Sequence, residues 1–206
     1  MYIPKAFRKD DIATLHKLMR DYSFATLITQ QDGVPLASHL PFVVDTEGGP
    51  YGTLFGHMAR GNSQWHTFVE GQEALVIFQG PHAYITPSWY EAELAVPTWN
   101  YAVVHAYGVP HLLEDKTILY RLLRTLVQTY EAGFEKPWAF DSLPDDYVQK
   151  MMQGIVGFEI PISRLEGKFK LSQNRPVSDQ VRVADALSEH QDDLSTGVAA
   201  LMKLPK

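Results

Sequence analysis

The 206-residue chain contains no cysteine. That excludes disulfides, thiolate metal sites and thiol nucleophiles, and it removes the usual indicator of redox compartment. No apolar run approaches the eighteen residues of a membrane-spanning helix. The start, Met1-Tyr2-Ile3-Pro4-Lys5, lacks the apolar region of a signal peptide, so a cytoplasmic location is expected. Positive charge is also scarce. Lys and Arg number 18 against 24 Asp and Glu, a formal net charge of -6. Non-specific nucleic-acid affinity comes from lysines and arginines displacing counterions, so the whole chain offers little attraction to polyphosphate, and only a local basic patch stays open. Gly-x-Ser-x-Gly, Gly-x-x-x-x-Gly-Lys-Ser/Thr and Gly-x-Gly-x-x-Gly are all missing, which leaves hydrolase, P-loop and Rossmann functions without an anchor. Any chemistry then belongs to a cofactor.

What is present is ordinary for a globular protein: 45% hydrophobic and 20% charged residues, enough for one substantial core. Ile12, Leu15, Met19 and Tyr22 recur at helical spacing, with Asp10 or Asp11 as cap. Phe24 to Thr29 reads as a strand, Gln30-Gln31-Asp32-Gly33 as a turn, and Leu36 to Val44 as its hairpin partner. Tyr51 to His57 predicts a third strand, and Asn62 the cap of a short helix carrying Trp65 and Phe68. Ala74 to Phe78 reads as a strand buried on both faces, followed by separate strands at His82 to Thr86 and Trp99 to Tyr107. In the last, Trp99, Tyr101, Val103, His105 and Tyr107 share one face. Ile118, Leu119, Leu122, Leu126 and Tyr130 stripe a helix over Asp115 to Tyr130, stopped by Gly133. A short helix at Pro144 to Met152, a strand at Gly154 to Ile162 and two polar helices within Ser178 to Lys203 complete the series. Six or seven short strands with inserted helices predict a mainly β fold, a β-barrel with inserted helices.

Four features could carry function. In Phe55-Gly56-His57-Met58-Ala59-Arg60-Gly61-Asn62-Ser63-Gln64-Trp65 a strand passes through a turn bearing Arg60 into a helix start. Free backbone N–H groups, a dipole end and a guanidinium can together hold a phosphate dianion; a capped loop with a solvated arginine fits the same pattern. Ser38-His39-Leu40-Pro41-Phe42 places polar groups in an apolar strand, where they face an internal partner or a ligand. His39, His57, His82 and His105 fall on predicted strands and invite a metal or haem, although none has metal-like spacing. Trp89, Tyr90, Trp99 and Tyr101 suit a flat ring, a subunit interface or core packing.

Taken in order, several segments resemble the PaiB-like FMN-binding negative transcriptional regulators, relatives of pyridoxamine phosphate oxidase with the FMN-binding split-barrel fold. The matching stretches are Met1-Tyr2-Ile3-Pro4 with Phe7; His39-Leu40-Pro41-Phe42; Gly56-His57-Met58-Ala59-Arg60 with Asn62, Gln64 and Trp65; Phe78-Gln79-Gly80-Pro81-His82-Ala83-Tyr84-Ile85; Pro87-Ser88-Trp89-Tyr90; Val96-Pro97-Thr98-Trp99-Asn100-Tyr101; and Lys168-Phe169-Lys170-Leu171-Ser172-Gln173-Asn174-Arg175. One departure is Ser63, where the family often has proline, a change in local stiffness more than in ligand chemistry.

The resemblance implies a homodimer with two flavin mononucleotide (FMN) sites, each built from both subunits. Ser38, His39 and Leu40 would line the isoalloxazine; His57, Met58, Arg60 and Asn62 would hold the ribityl phosphate, with Gln64 in reach. Asn100, Tyr101, Lys170, Gln173 and Arg175 would come from the second subunit. It implies an FMN domain over residues 1–175 and a helical extension over 176–206 packed on the same domain. Lowered transcription of target genes is the implied function. An FMN-dependent oxidoreductase acting on a small molecule, with His39, His57 or His105 moving protons, is the alternative, and haem handling is a third. Direct DNA contact stays open but is unsupported by the acidic balance, and no convincing helix-turn-helix is present.

Overall fold

The computed structural model describes residues 1–69, 71–91 and 94–203. The chain forms two compact units, Met1–Leu18 with Gln79–Val104 and Glu166–Lys206, and Met19–Phe78 with His105–Leu165. It is mainly β, with antiparallel sheets and inserted helices.

In the unit centred on residues 19–78, β2 (Phe24–Gln31) and β3 (Val34–Pro41) form a hairpin. Its register runs from Phe24 opposite Pro41 to Gln31 opposite Val34. The loop is Asp32-Gly33, both at positive φ (50° and 81°), the conformation that a two-residue hairpin loop needs to match strand twist. The first half of β6 (Ala74–Ile85) pairs with β2 through Leu75, Val76 and Ile77. A second sheet runs in the order β4 (Val43–Asp45), β5 (Thr53–Ala59), β9 (Ile155–Pro161), β8 (His111–Leu112).

The alternation along β5 explains its two faces. Leu54, Gly56 and Met58 turn to a core where the rings of Phe42 and Phe158 meet edge-on at 6.0 Å. A Cβ on Gly56 would lie 2.8 Å from Phe158, so only glycine admits that ring. Phe55, on the opposite face, packs with Val43 and Ile155 against Leu119, Leu122 and Leu126 of α2 (Lys116–Glu131) and Val148 and Met152 of α3 (Asp145–Met152). Asp115 caps α2 by accepting from Thr117 N–H at 2.7 Å.

The other unit contains β1 (Arg8–Lys9), most of α1 (Ile12–Asp21), and the strand order β1, β10 (Arg164–Lys170), β7 (Thr98–Gly108) and the second half of β6. Helices α4 (Val177–Ser188) and α5 (Asp193–Lys203) bury Val183, Ala184, Leu187, Val198 and Ala199. Asp11 is the cap of α1, accepting from Thr14 N–H at 2.8 Å.

Three expectations change. The strands predicted at Ala74 to Phe78 and His82 to Thr86 are one twelve-residue strand, β6. Proline interrupts a strand only where its missing N–H is needed, and the register with β2 ends at Ile77, short of Pro81. The in-and-out alternation slips by one at Gly80-Pro81, where both residues are buried. Ala74 to Phe78 is not buried on both faces, since Leu75 and Ile77 are half-buried. The segment after Asn62 is a 3-10 helix, Ser63–Thr67, too short to contribute an appreciable dipole.

Candidate functional site

The strand-to-turn junction at Arg60 is built by contacts distant in sequence. Arg60 N–H donates to Gly154 O at 2.8 Å. Its Nε and Nη2 donate to the carbonyls of Gln153 and Ile155, each at 2.8 Å. The guanidinium thus clamps the chain entering β9, which uses two of the five N–H groups an arginine carries and leaves three. Trp65 Nε1–H donates to Arg60 O at 3.1 Å and closes the turn. A cavity of about 450 Å³ lies beside Arg60, with Trp65, Lys116, Leu119, Met152 and Gln153 in its wall.

Asn62 is committed on both sides of its amide. Oδ1 accepts from Gln64 N–H at 3.0 Å, and Nδ2 donates to Ser38 Oγ on β3 at 2.8 Å. Gln64 is a brace, 3% exposed. Its Nε2 donates to Leu27 O, Thr29 Oγ1 and Leu36 O at 3.1–3.3 Å, so its donors face the β2–β3 hairpin and not the turn. Gln64 Oε1 is buried without a partner among the described residues.

The side chains expected to act together divide by strand period. Ser38 and Leu40 are half-buried on one face of β3; His39 is exposed on the other, with Nδ1 3.1 Å from Thr26 Oγ1 and its ring 6.5 Å from that of Phe24. On β5, Met58 is 2% exposed in the core, so only its backbone is left for a ligand. His57 is half-buried on the Phe55 face, and its Nδ1 has no partner among the described residues. Burial lowers its pKa below the usual histidine value of 6.5, because removal from water disfavours the imidazolium.

The five residues expected from a second subunit lie in the unit of β7 and β10. Asn100 is fully buried, and its Nδ2 donates to Ser172 Oγ at 2.9 Å, while Oδ1 finds no partner among the described residues. Ser172 has φ of 63°, a strained value for a residue with a Cβ. Lys170 Nζ donates to Thr98 Oγ1 and to Trp99 O. Its pKa is lowered, first by burial and then by the neighbouring charges of Lys168 and Arg175. Gln173 is folded onto its own strand end, accepting from Leu171 N–H at 2.7 Å and donating to Phe169 O at 2.5 Å. The Arg175 guanidinium lies 4.4 Å from the Tyr90 ring centroid, and Lys168 Nζ 5.3 Å from that of Tyr101.

The aromatic residues do not form one cluster. Trp89 meets His190 at 5.9 Å; Trp99, 52% exposed, meets Tyr84 and His82 at 5.9 and 6.1 Å. Lys168 was not among the expected site residues; its alternation with Lys170 on one face of β10 was the available signal. Among the described residues, no group of three or more His, Asp or Glu is arranged to hold a metal, and no helix is long and apolar enough to cross a membrane.

The donor set at the turn fits a phosphate. Three N–H groups of Arg60 remain, Ser63 adds a hydroxyl at an exposed position, and a Cβ on Gly61 would meet nothing within 4 Å. Open space over a glycine beside a guanidinium lets an anion approach the backbone closely.

The family model described as "Putative FMN-binding domain" matches residues 1–164. The chain is 38% identical over 203 residues to "Protease synthase and sporulation protein PAI 2" of Bacillus subtilis, across 98% of this chain and 97% of that protein. It is 33% identical over 242 residues to an uncharacterized protein of Emericella nidulans, across 98% and 96%. Among solved structures, the flavocytochrome Anf3 from Azotobacter vinelandii aligns with a TM-score of 0.64 at 15% identity, over 82% of this chain and 72% of that one. The FAD and heme binding protein from Mycobacterium smegmatis aligns with a TM-score of 0.57 at 15% identity, over 84% and 78%. At these identities the structural likeness is one of fold.

Proposed function

Since the chain belongs to the FMN-binding domain family, which covers residues 1–164, its cofactor is FMN, and we propose that it is a cytoplasmic, homodimeric split-barrel regulator that lowers transcription according to the state of its flavin site. The observation that carries this reading is the Arg60 turn, where a guanidinium anchored by two backbone carbonyls keeps donors free beside open space. An anchored donor loses little freedom on binding, which favours a tightly held anion.

In this proposal Arg60, Gly61 and Ser63 receive the phosphate, while Asn62 and Gln64 hold the turn against β2 and β3. Ser38 and Leu40 border the ring on one face of β3, His39 stands on the other, and Met58 contributes through its backbone. A second copy supplies Tyr101 and the cations Lys170 and Arg175, while the fully buried Asn100 and Gln173 fix the strand ends behind them. When bound, FMN supplies electron and hydride transfer.

The Bacillus subtilis relative is named for protease synthesis and sporulation, which supports a regulatory role. Direct DNA contact through α4 and α5 is not favoured. Their cations Arg182 and Lys203 are paired with Glu91 at 3.0 Å and Asp185 at 3.3 Å, so neither releases counterions freely. The local basic patch is Lys168, Lys170 and Arg175.

The test is the visible spectrum, flavin stoichiometry and sedimentation of freshly purified protein. A yellow dimer with one FMN per chain is expected; colourless monomer indifferent to added FMN would end the proposal. A mobility shift with promoter DNA at moderate salt would establish direct contact, and its absence at every salt concentration would remove direct DNA contact.

One observation favours the oxidoreductase alternative. His57, three residues before Arg60, carries a buried Nδ1 without a partner among the described residues, and burial holds its ring toward the neutral form, the form in which an imidazole acts as a general base. Bleaching by NAD(P)H with recovery in air would support this reading, and bleaching by dithionite alone would count against it.

A further inference from the structure

A cavity of about 580 Å³ lies in the unit of β1, β10 and the C-terminal helices, within the size range of small-molecule sites. Its walls join Arg8 and Lys9 of β1, Phe169 and Leu171 at the end of β10, and Leu201 and Met202 of α5. The neutral polar groups around it are already occupied. Thr14 Oγ1 donates to the Asp11 carboxylate, and both amide atoms of Gln173 bond the backbone of Phe169 and Leu171. What remains for a ligand is an apolar wall beside two cations.

Those cations are only lightly neutralised. Arg8 Nε is 3.9 Å from Asp10 Oδ1, with both side chains mostly exposed. The Asp11 carboxylate is turned to Thr14 as the α1 cap, although Lys9 still acts on it through space. The β1–β10 register sets Arg8 opposite Lys168 and Lys9 opposite Gly167, which puts Lys9 on the face of Phe169 and Arg8 on the other face, with Glu166 diagonal to it.

We propose that this cavity binds a medium-chain fatty carboxylate, with its head at Lys9, Arg8 adding attraction from the other face of the edge strand, and its chain along Phe169, Leu171, Leu201 and Met202. A charged head needs the cations, because burying an unpaired carboxylate is costly. An unbranched chain matches a wall whose remaining surface is aliphatic and aromatic, and each methylene it buries strengthens binding. The proposal does not rest on the FMN reading, although Gln173, which that reading places beside the flavin, also lines this cavity.

The experiment is calorimetric titration of the full-length, flavin-loaded protein with hexanoate, octanoate and decanoate, and with decanol as the uncharged control. Affinity is expected to rise about fourfold per added methylene, and decanol to bind at least tenfold more weakly than decanoate. Ala6→Trp, at an exposed position on the cavity wall, should abolish binding. The double variant Arg8→Ala/Lys9→Ala should weaken decanoate about tenfold and leave decanol unchanged. Thermal melts and flavin content matching the parent protein separate these effects from unfolding and from the FMN site. Should Ala6→Trp fail to fold, the double variant carries the test alone. Affinity independent of chain length, decanol binding as tightly as decanoate, or no binding at millimolar concentration would each overturn the assignment.

Discussion

Asn62 Nδ2 donates to Ser38 Oγ at 2.8 Å, joining residues 24 positions apart so that the turn after β5 is fastened to β3. The same amide accepts from Gln64 N–H on its other side. One side chain therefore fixes the phosphate turn with respect to the strand expected beside the ring. Asn62→Ala removes both bonds and should cost about 1–2 kcal/mol in urea unfolding. Ser38→Ala removes one bond and should cost less. The double variant should lose no more than Asn62→Ala alone; strictly additive losses would show that the two side chains are not coupled.

Arg60→Ala should lower FMN retention at least tenfold after dialysis and also reduce the melting temperature, since the guanidinium holds Gln153 O and Ile155 O. Arg60→Lys keeps the charge but cannot reproduce the two-carbonyl fork, so it should recover part of the FMN affinity and little of the stability. Full flavin retention in Arg60→Ala would remove Arg60 as the phosphate ligand.

Ser63 opens the 3-10 helix Ser63–Thr67 at its first position, where proline is accommodated because the N–H has no partner within the helix. Ser63→Pro should leave the fold intact, stiffen the turn and remove an N–H and a hydroxyl from the anion's surroundings. Equilibrium dialysis should show weaker FMN binding, by about threefold to tenfold, at an unchanged melting temperature, as expected for the loss of about one net hydrogen bond. Tighter binding would mean that preorganisation outweighs the two donors.

His57 should make stability depend on pH. Its folded pKa lies below the unfolded value, so the unfolded chain binds the proton more readily, and stability rises with pH in the interval between the two values. The contribution of the neutral imidazole is complete above about pH 6.5 and is lost as pH falls toward the folded pKa. Urea unfolding between pH 5 and 8 should show this slope in the parent protein and a shallower one in His57→Gln. Identical slopes would place the titrating group elsewhere.

Legibility in the sequence followed the range of the interactions. Helices α1 and α2 were readable because an apolar period and, for α1, the cap at Asp11 act within a few residues. The hairpin was readable because Asp32-Gly33 admits the positive φ its loop requires. Strand β10 is not legible in the sequence, as its alternating charged residues give no apolar run and its neighbour β1 lies over 150 positions away. The union of two expected strands in β6 was hidden by Gly80-Pro81, which normally punctuates chain direction.

For the site, sequence alone determined which residue types stand together along the chain: Arg60, Gly61, Asn62 and Ser63 at the end of a strand, with a polar pair on β3. Tertiary structure decided what each can do. Bonds spanning 93 and 95 positions anchored Arg60, three acceptors on the hairpin turned Gln64 inward, and packing on both sides of β5 sent Met58 to the core while leaving His57 half-buried. The physical reason is that strand alternation fixes only that neighbours face opposite ways; which way is ligand and which way is core depends on the layers that pack against the sheet.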